Sequence, residues 1–127
     1  MLENFPTQVH LLNAARELRE PWSPRVVARV NDQYVKVAKL QGEFVWHAHE
    51  EEDELFLVLA GELRIDYRDR PAVHLLPGAL HVVPRGVQHF PVAQEECLIA
   101  LIETVTTRHT GEVQTAHTRS LDEQLVG

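Results

Sequence analysis

Short apolar runs, each bounded by polar or turn-forming residues, make up most of the chain between residues 25 and 103. Glycine, proline, asparagine and aspartate separate these runs, and no helical pattern lies between them. Short strands joined in this way are typical of an antiparallel β-sandwich or barrel. The predicted strands cover residues 25–30, 34–40, 44–49, 55–60, 63–67, 72–76, 80–83, 89–92 and 97–103.

The two ends of the chain have different patterns. Residues 9–20 mix apolar side chains with arginine and glutamate, which predicts one short amphipathic helix with Asn13 as its N-cap. The helix should end before Pro21, and we expect Trp22 to pack against the outside of the sheet. Residues 104–127 form a polar, threonine-rich tail. The sequence leaves open whether this tail extends a strand across the barrel or a partner subunit, or is loosely held.

Size and charge limit the classes of function. With 127 residues and 14.5 kDa, the chain is predicted to form a single domain over residues 1–127. A net charge of −7 argues against nucleic acid and anionic membranes as partners, because both attract clustered lysine and arginine. A small-molecule ligand or substrate is therefore expected.

The cellular setting is predicted from what the sequence lacks. Cys97 is the single cysteine, so an intramolecular disulfide is ruled out. The N-terminal residues do not have the pattern of a secretory signal, and no apolar run approaches the length of a membrane span. A cytoplasmic location is the expectation.

Two stretches carry candidate metal chemistry. His47 and His49 are two residues apart, so on a strand both imidazoles project from one face. Glu54 opens the apolar run that comes next, and pairing of that run with the histidine strand would return its carboxylate to the imidazoles. His89, on a later predicted strand, can supply a third imidazole. Imidazoles and a carboxylate on rigid strands are a typical metal-site arrangement.

Both stretches resemble the motifs of the cupin superfamily. The first, at residues 42–61, has the cupin spacing His-x-His, four residues, Glu, six residues, Gly. The second, at residues 78–93, has the spacing Gly, five residues, Pro-x-Gly, two residues, His. Two positions depart from the motifs, because Gly42 is one residue closer to the first histidine than usual and Ala93 replaces a common asparagine. The matching residues are His47, His49, Glu54, Gly61, Gly78, Pro84, Gly86 and His89.

The resemblance implies a fold, a site and a range of functions. The fold would be an all-β, single-domain cupin barrel of the jelly-roll type with a short N-terminal helix. One divalent transition metal, Fe, Mn, Ni, Cu, Co or Zn, would be held by His47, His49, Glu54 and His89, with Glu52 as the fallback carboxylate. A metal-dependent, dioxygenase-like enzyme acting on a small organic molecule is expected. The alternatives are a non-catalytic small-molecule or sugar-binding module and an isomerase.

Strand alternation extends the prediction beyond the ligands. Val45 should share the inward face with the two histidines, while Phe44 and Trp46 should not. Phe56 and Val58 should point inward with Glu54. Leu55, Leu57 and Leu59 should point outward, where the helix can cover some of them. A second subunit is the expected cover for the rest, and a homodimer is therefore predicted.

The same alternation assigns the residues around the third histidine. Val87 and Pro91 should line the pocket beside His89, and Phe90 should not. His81 is open to two interpretations, a strand-surface histidine or a proton-transfer group facing the pocket. Tyr67 and Gln41 are further candidates for positions next to the metal ligands. No catalytic residue is assigned from the sequence.

Overall fold

The computed structural model describes residues 4–107 and Gln124. Within residues 4–107, the regular elements are one short helix and the strands of an antiparallel, seven-stranded sheet that curves into a barrel. The predicted all-β barrel with a short N-terminal helix is confirmed. The elements are α1 (Leu11–Arg16), β1 (Arg25–Val30), β2 (Gln33–Glu43), β3 (Glu54–Ala60), β4 (Leu63–Tyr67), β5 (Val73–Leu75), β6 (Leu80–Val83) and β7 (His89–Thr104).

Strand β7 organises the sheet. It pairs with β2 along nearly its whole length, with β4 through its first residues and with β3 through its last. The order is β1-β2-β7-β3-β6, and β4 joins β7 to β5. The two strands predicted at residues 89–92 and 97–103 are thus one strand, because the exposed polar residues 94–96 continue the extended backbone instead of forming a turn. This continuity brings both ends of β7 to the barrel interior.

The predicted strand over residues 44–49 is wrong in the structure. A bulge interrupts the pairing of β2 at Gly42, whose φ of 85° glycine adopts readily, and β2 ends at Glu43. The chain then runs beside the start of β7 through a single bridge, in which His47 and His89 exchange backbone hydrogen bonds of 3.1 and 2.9 Å. Irregular backbone therefore carries the first two histidines.

Helix α1 covers part of the outer face of the sheet. The predicted cap is wrong, because His10 occupies the N-cap position and its Nδ1 accepts a hydrogen bond of 3.3 Å from the Asn13 backbone N–H. Ala15 is fully buried against Val37 and Leu98 in a cluster outside the barrel. Within residues 4–107, no helix has the length and apolar character needed to cross a bilayer.

The barrel interior holds the main core. Phe56 and Val58 are buried in it as alternation predicts, together with Leu63 and Ile65. Burial of each such side chain stabilises the fold by about 1.5–3 kcal/mol relative to exposure. Trp22 belongs to this same core, so the prediction that it packs outside the sheet is wrong. The connector after α1 turns inward because Trp22 adopts a φ of 61° and its N–H bonds to the carbonyl of β2 residue Lys39 at 2.8 Å.

Candidate metal centre

All four residues predicted as metal ligands converge inside the barrel. His47 lies at the bridge to β7, His49 two residues later, Glu54 at the first position of β3 and His89 at the first position of β7. Each is at most 3% exposed. One ligand atom from each can be chosen so that all four atoms lie within 4.8 Å of one another. We call these residues the four-residue cluster.

Two of the imidazole rings are oriented by backbone carbonyls. The Nδ1 atom of His47 lies 2.9 Å from the carbonyl oxygen of Val45, and that of His89 lies 3.0 Å from the carbonyl oxygen of Val87. A carbonyl oxygen can only accept, so Nδ1 donates in both rings, and Nε2 is the nitrogen that the neutral ring leaves for a metal. Metal-binding histidines typically have this second hydrogen bond.

The ligand atoms face one another without conventional partners. His49 Nε2 and His89 Nε2 lie 3.3 and 3.7 Å from Glu54 Oε1, and none of the three atoms makes a hydrogen bond of good geometry. A buried polar atom without a partner costs about 1–3 kcal/mol. A cation between them would satisfy all three at once, so the residues present fit a bound metal.

The electrostatics differ among the histidines. Burial, reinforced by the nearby His89, lowers the pKa of His47 to about 3, so its ring stays neutral and ready to bind a metal. Burial alone would lower the pKa of His49 too, but the negative charge of Glu54 outweighs it and raises that pKa. Burial opposes ionisation of Glu54, yet His49 and its other partners hold the pKa of Glu54 well below its usual value. Metal binding to His49 should therefore compete with protonation of its ring.

Two turns fix the backbone that carries the cluster. The N–H of Gly86 donates to the carbonyl of His49 at 2.7 Å, and the N–H of Arg85 donates to the Asp53 carboxylate at 2.8 Å. Glu52, the fallback ligand, points away and accepts a hydrogen bond of 3.1 Å from Thr106. The acidic loop thus ties the two motifs together, and Glu54 alone among its carboxylates joins the cluster.

Sequence analysis missed a buried ion pair behind Glu54. Lys36 Nζ lies 2.7 Å from Glu103 Oε1, and neither side chain is exposed to solvent. Glu103 is within hydrogen-bonding range of Glu54, and burial together with the Glu54 charge raises the pKa of Glu103 well above its usual value. Strand alternation contains the signal, because Lys36 shares the inward face of β2 with Ala38 and Leu40.

A small apolar pocket of about 30 Å³ adjoins the cluster, with His47 and Glu54 as its polar residues. Trp22 stacks on Phe44 with ring centroids 4.7 Å apart, and the edge of Phe44 meets His47 at 5.4 Å. Pro91 lines the pocket as predicted, whereas Phe44 was expected on the opposite face. The other lining residues are Pro24, Ala38, Leu40, Phe56, Ile99 and Leu101.

The other residues predicted near the ligands occupy different positions in the structure. The Tyr67 hydroxyl lies 2.6 Å from His81 Nε2, and burial together with the nearby His89 lowers the pKa of His81. Tyr67 is also the register partner of His89 on β7, so this pair borders the cluster. Gln41 is exposed, and its backbone carbonyl accepts a hydrogen bond from the Trp22 indole at 2.9 Å. Phe90 stacks on Trp46 away from the pocket, as predicted for Phe90.

Comparison with known proteins gives the same answer as the geometry. The family model of the cupin domain matches residues 33–102, more than half of the chain. The chain is 39% identical over 80 residues to the uncharacterized protein YdbB of Bacillus subtilis (strain 168), and the match covers 63% of this chain and 71% of that protein. The protein therefore belongs to the cupin domain family.

Two solved structures extend the comparison. A cupin-2 domain containing protein from Shewanella frigidimarina NCIMB 400 is 43% identical, with a TM-score of 0.72 over 76% of this chain and 93% of that one. Protein NMB1881 from Neisseria meningitidis is 27% identical, with a TM-score of 0.70 over 76% and 98% of the two chains. Fold and donor set together indicate a cupin whose histidine and glutamate cluster can hold a divalent metal.

Proposed function

We propose that this cupin binds one divalent transition metal through the four-residue cluster and uses it to act on, or bind, a small organic molecule. The observation that carries the proposal is the convergence of four buried ligand atoms within 4.8 Å, of which those of His49, Glu54 and His89 have no hydrogen-bond partner. Three imidazoles and one carboxylate suit Fe, Mn, Ni, Cu, Co or Zn. When bound, such a metal supplies Lewis-acid or redox chemistry at its open positions.

The residues around the cluster favour an oxygenase. Trp22, Phe44 and Phe56 give the pocket an apolar, water-poor wall, which protects reactive chemistry from side reactions. The pocket offers few fixed polar groups to the substrate beyond His47 and Glu54. An oxygenase suits such a site because it needs few acid or base groups from the protein. At about 30 Å³ the pocket has room for about two water-sized groups, so only one end of an organic substrate would enter it.

Oxygen consumption tests this proposal. Protein reconstituted with Fe(II) should take up O₂ in the presence of one or more members of a panel of small organic acids and diketones. The uptake should vanish in His47→Ala and persist in Glu52→Gln, which changes a neighbouring carboxylate outside the cluster. Absence of uptake with every compound would contradict the oxygenase and favour a non-catalytic module that binds a small molecule or sugar.

The Tyr67–His81 pair supports an isomerase as the second candidate. An isomerase must move a proton to and from its substrate, and a hydroxyl 2.6 Å from an imidazole can serve as an acid–base group. Metal-loaded protein in D₂O would then exchange carbon-bound hydrogen of sugars or hydroxy-ketones, visible by NMR. Tyr67→Phe should abolish that exchange, whereas an oxygenase should take up O₂ in the same variant.

The second subunit predicted from the sequence has a candidate surface in the structure. Leu55 pairs with both Val82 and Ile102, and Leu57 pairs with Leu80, so these outward side chains form a continuous apolar face. Leu80, Val82 and Ile102 are 58%, 42% and 36% exposed. Helix α1 covers only the neighbouring region around Val37 and Leu98. A second copy of the chain is the proposed cover, which would make the protein a homodimer.

Light scattering tests the homodimer. Leu80→Lys/Val82→Lys should convert a dimer to a monomer, because both charges would lie within the contact. Leu76→Lys is the control, since Leu76 is just as exposed at 60% but lies after β5, outside this face. A monomeric wild type would contradict the proposal. The cytoplasmic location remains a prediction from the sequence.

A further inference from the structure

The ion pair behind the cluster is buried completely. Lys36 and Glu103 are both 0% exposed, and their charged atoms are 2.7 Å apart. A further contact of the ammonium is with the Gln124 side chain, whose oxygen lies 2.5 Å from Lys36 Nζ. Buried lysines and glutamates are rare unless paired, so this arrangement requires an explanation beyond packing.

The pair is connected directly to one cluster residue. Leu55 of β3 is the register partner of Ile102 of β7, so the preceding Glu54 and the following Glu103 are close neighbours on adjacent strands. Both point into the barrel, and their carboxyl groups are within hydrogen-bonding range. The contacts thus run in series from Gln124 to Lys36, then to Glu103 and Glu54.

Stability alone is a weak reason for such a series. Removing two charges from water costs several kcal/mol per ion, and replacing a buried ion pair by apolar side chains of similar volume is often neutral or stabilising. The interior around the pair already contains apolar residues such as Leu101 and Ala38. An apolar pair at positions 36 and 103 would therefore fill the barrel at least as well.

We propose that Lys36 and Glu103 are positioning residues that fix the Glu54 carboxylate for metal binding. Glu103 lies beside Glu54 on the adjacent strand and limits the positions open to the Glu54 carboxylate, whose Oε1 faces His49 and His89. Lys36 fixes Glu103 in turn through the 2.7 Å contact. This inference rests on the proposed metal-binding function. Outer partners of metal ligands change metal affinity about 10- to 100-fold when removed, and an effect of that size is expected here.

Metal affinity of variants at the two positions tests the inference. The probes are Co(II), followed by its visible absorption, and Zn(II), followed by competition with a chelating dye. Glu103→Ala should raise the dissociation constant about 10- to 100-fold for either ion. Glu103→Gln should stay close to wild type, because its amide can donate to Glu54 and accept from Lys36.

A double variant keeps the test valid if the single variant fails to fold. Lys36→Met/Glu103→Leu replaces the pair by apolar side chains and leaves no isolated buried charge at these positions. We expect its dissociation constants to rise about 10- to 100-fold. Its metal-free form should remain folded, although loss of the Lys36 contact to the buried Gln124 oxygen lowers its stability. Lys39→Met is the control, because it removes the same charge from the same strand but breaks only the outward contact with Glu96 at 3.4 Å.

The outcomes distinguish a failure of the positioning role from a failure of the proposed metal binding. Unchanged metal affinity in the double variant, with lower stability in both metal-free and metal-bound forms, would overturn the positioning role and leave a purely structural pair. Wild-type protein that binds neither Co(II) nor Zn(II) would overturn the proposed function together with this inference. Weaker metal binding by a folded double variant would support both.

Discussion

The barrel interior has two halves that are equally buried but differ in chemistry. Strand β3 contributes Glu54 to one half and Val58 to the other, and strand β7 contributes Glu103 and Ile99. Burial itself stabilises the apolar half, which contains Val58, Leu63, Ile65, Cys97 and Ile99. Burial opposes the polar half, which must be stabilised by ion pairs and ligands and contains Lys36, His47, His49, Glu54, His89 and Glu103.

The contrast assigns stability of the fold mainly to the apolar half and the proposed function to the polar half. Cys97 illustrates the apolar half, because burial raises the pKa of its thiol to about 12 and leaves it unreactive. His47 illustrates the polar half, where the same burial keeps an imidazole neutral and able to bind a metal. Substitutions in the two halves should therefore differ in whether their effect depends on metal.

The largest effect is expected in the apolar half. Ile65→Ala removes a side chain that is 0% exposed, and should lower the free energy of unfolding by about 2–5 kcal/mol. The loss should be the same with metal and with chelator, because Ile65 lies outside the cluster. Urea unfolding measures it, with Val30→Ala as the milder control, because Val30 is 59% exposed. A loss of stability seen only with metal, or only with chelator, would contradict the distinction between the two halves.

The polar half should respond in the opposite way. His89→Ala should remove the stabilisation that metal adds, which is about 4 kcal/mol at a metal concentration one thousand times the dissociation constant. Its metal-free form should change less, since the substitution also removes an unpartnered buried nitrogen. Calorimetry with and without Zn(II) measures the difference. His74→Ala, at an exposed histidine of β5, should keep the full metal-dependent increment.

Gly61, in the turn between β3 and β4, offers a further test of packing in the apolar half. Gly61 has a φ of 85°, and an added Cβ would lie 2.6 Å from the Glu96 carbonyl oxygen and 2.9 Å from the Cys97 Cα. Gly61→Ala should therefore cost about 1–3 kcal/mol in urea unfolding. Gly86→Ala shares the positive φ but meets nothing within 4 Å, so it should cost less. Equal losses would show that the close approach to β7 is unimportant.

In metal-free protein, the pH dependence of stability should report on the titratable residues of the polar half. The pKa of His47 is about 3 when folded and 6.5 normally, so the unfolded chain binds more protons between these values. Stability should fall as pH decreases from 6.5, by up to about 1.4 kcal/mol per pH unit for this group. The lowered pKa of Glu54 likewise gives stability that is lost as pH falls below 4.5. The raised pKa of His49 has the opposite effect and gives stability that is lost as pH rises above 6.5.

Thermal melting in chelator between pH 6.0 and 5.0 checks this dependence. His47→Gln should make the slope shallower, because it removes the group with the largest expected proton uptake on unfolding. Some slope should remain, since burial also lowers the pKa of His81. An unchanged slope in the variant would indicate that His47 is accessible to protons in the folded state.

Local rules were sufficient to predict several elements from the sequence. The bounds of β1, β4 and β6 follow from alternation and turn residues, and so does the inward face of β3 with Glu54, Phe56 and Val58. The four candidate metal ligands were predicted because the cupin motifs fix their spacing. Their convergence could be predicted without knowing how the distant strands pair.

What could not be predicted depends on contacts between distant segments. The backbone at residues 44–49 gives up strand pairing to reach β7, and Trp22 enters the core through a positive φ that no propensity suggests. Lys36 and Glu103 were missed because charged residues are assigned to the surface by default, although both have inward parity. Tertiary pairing, rather than local pattern, decided the first two cases.

Elemental analysis tests the central claim most directly. The protein should be purified without chelator or nickel resin, beside a His47→Ala/His49→Ala variant, and both should be analysed for bound transition metals. We expect about one equivalent of Fe, Mn, Ni, Cu, Co or Zn in the wild type and none in the variant. A metal-free wild type, even after reconstitution, would contradict the account and leave a barrel that binds its ligand without metal.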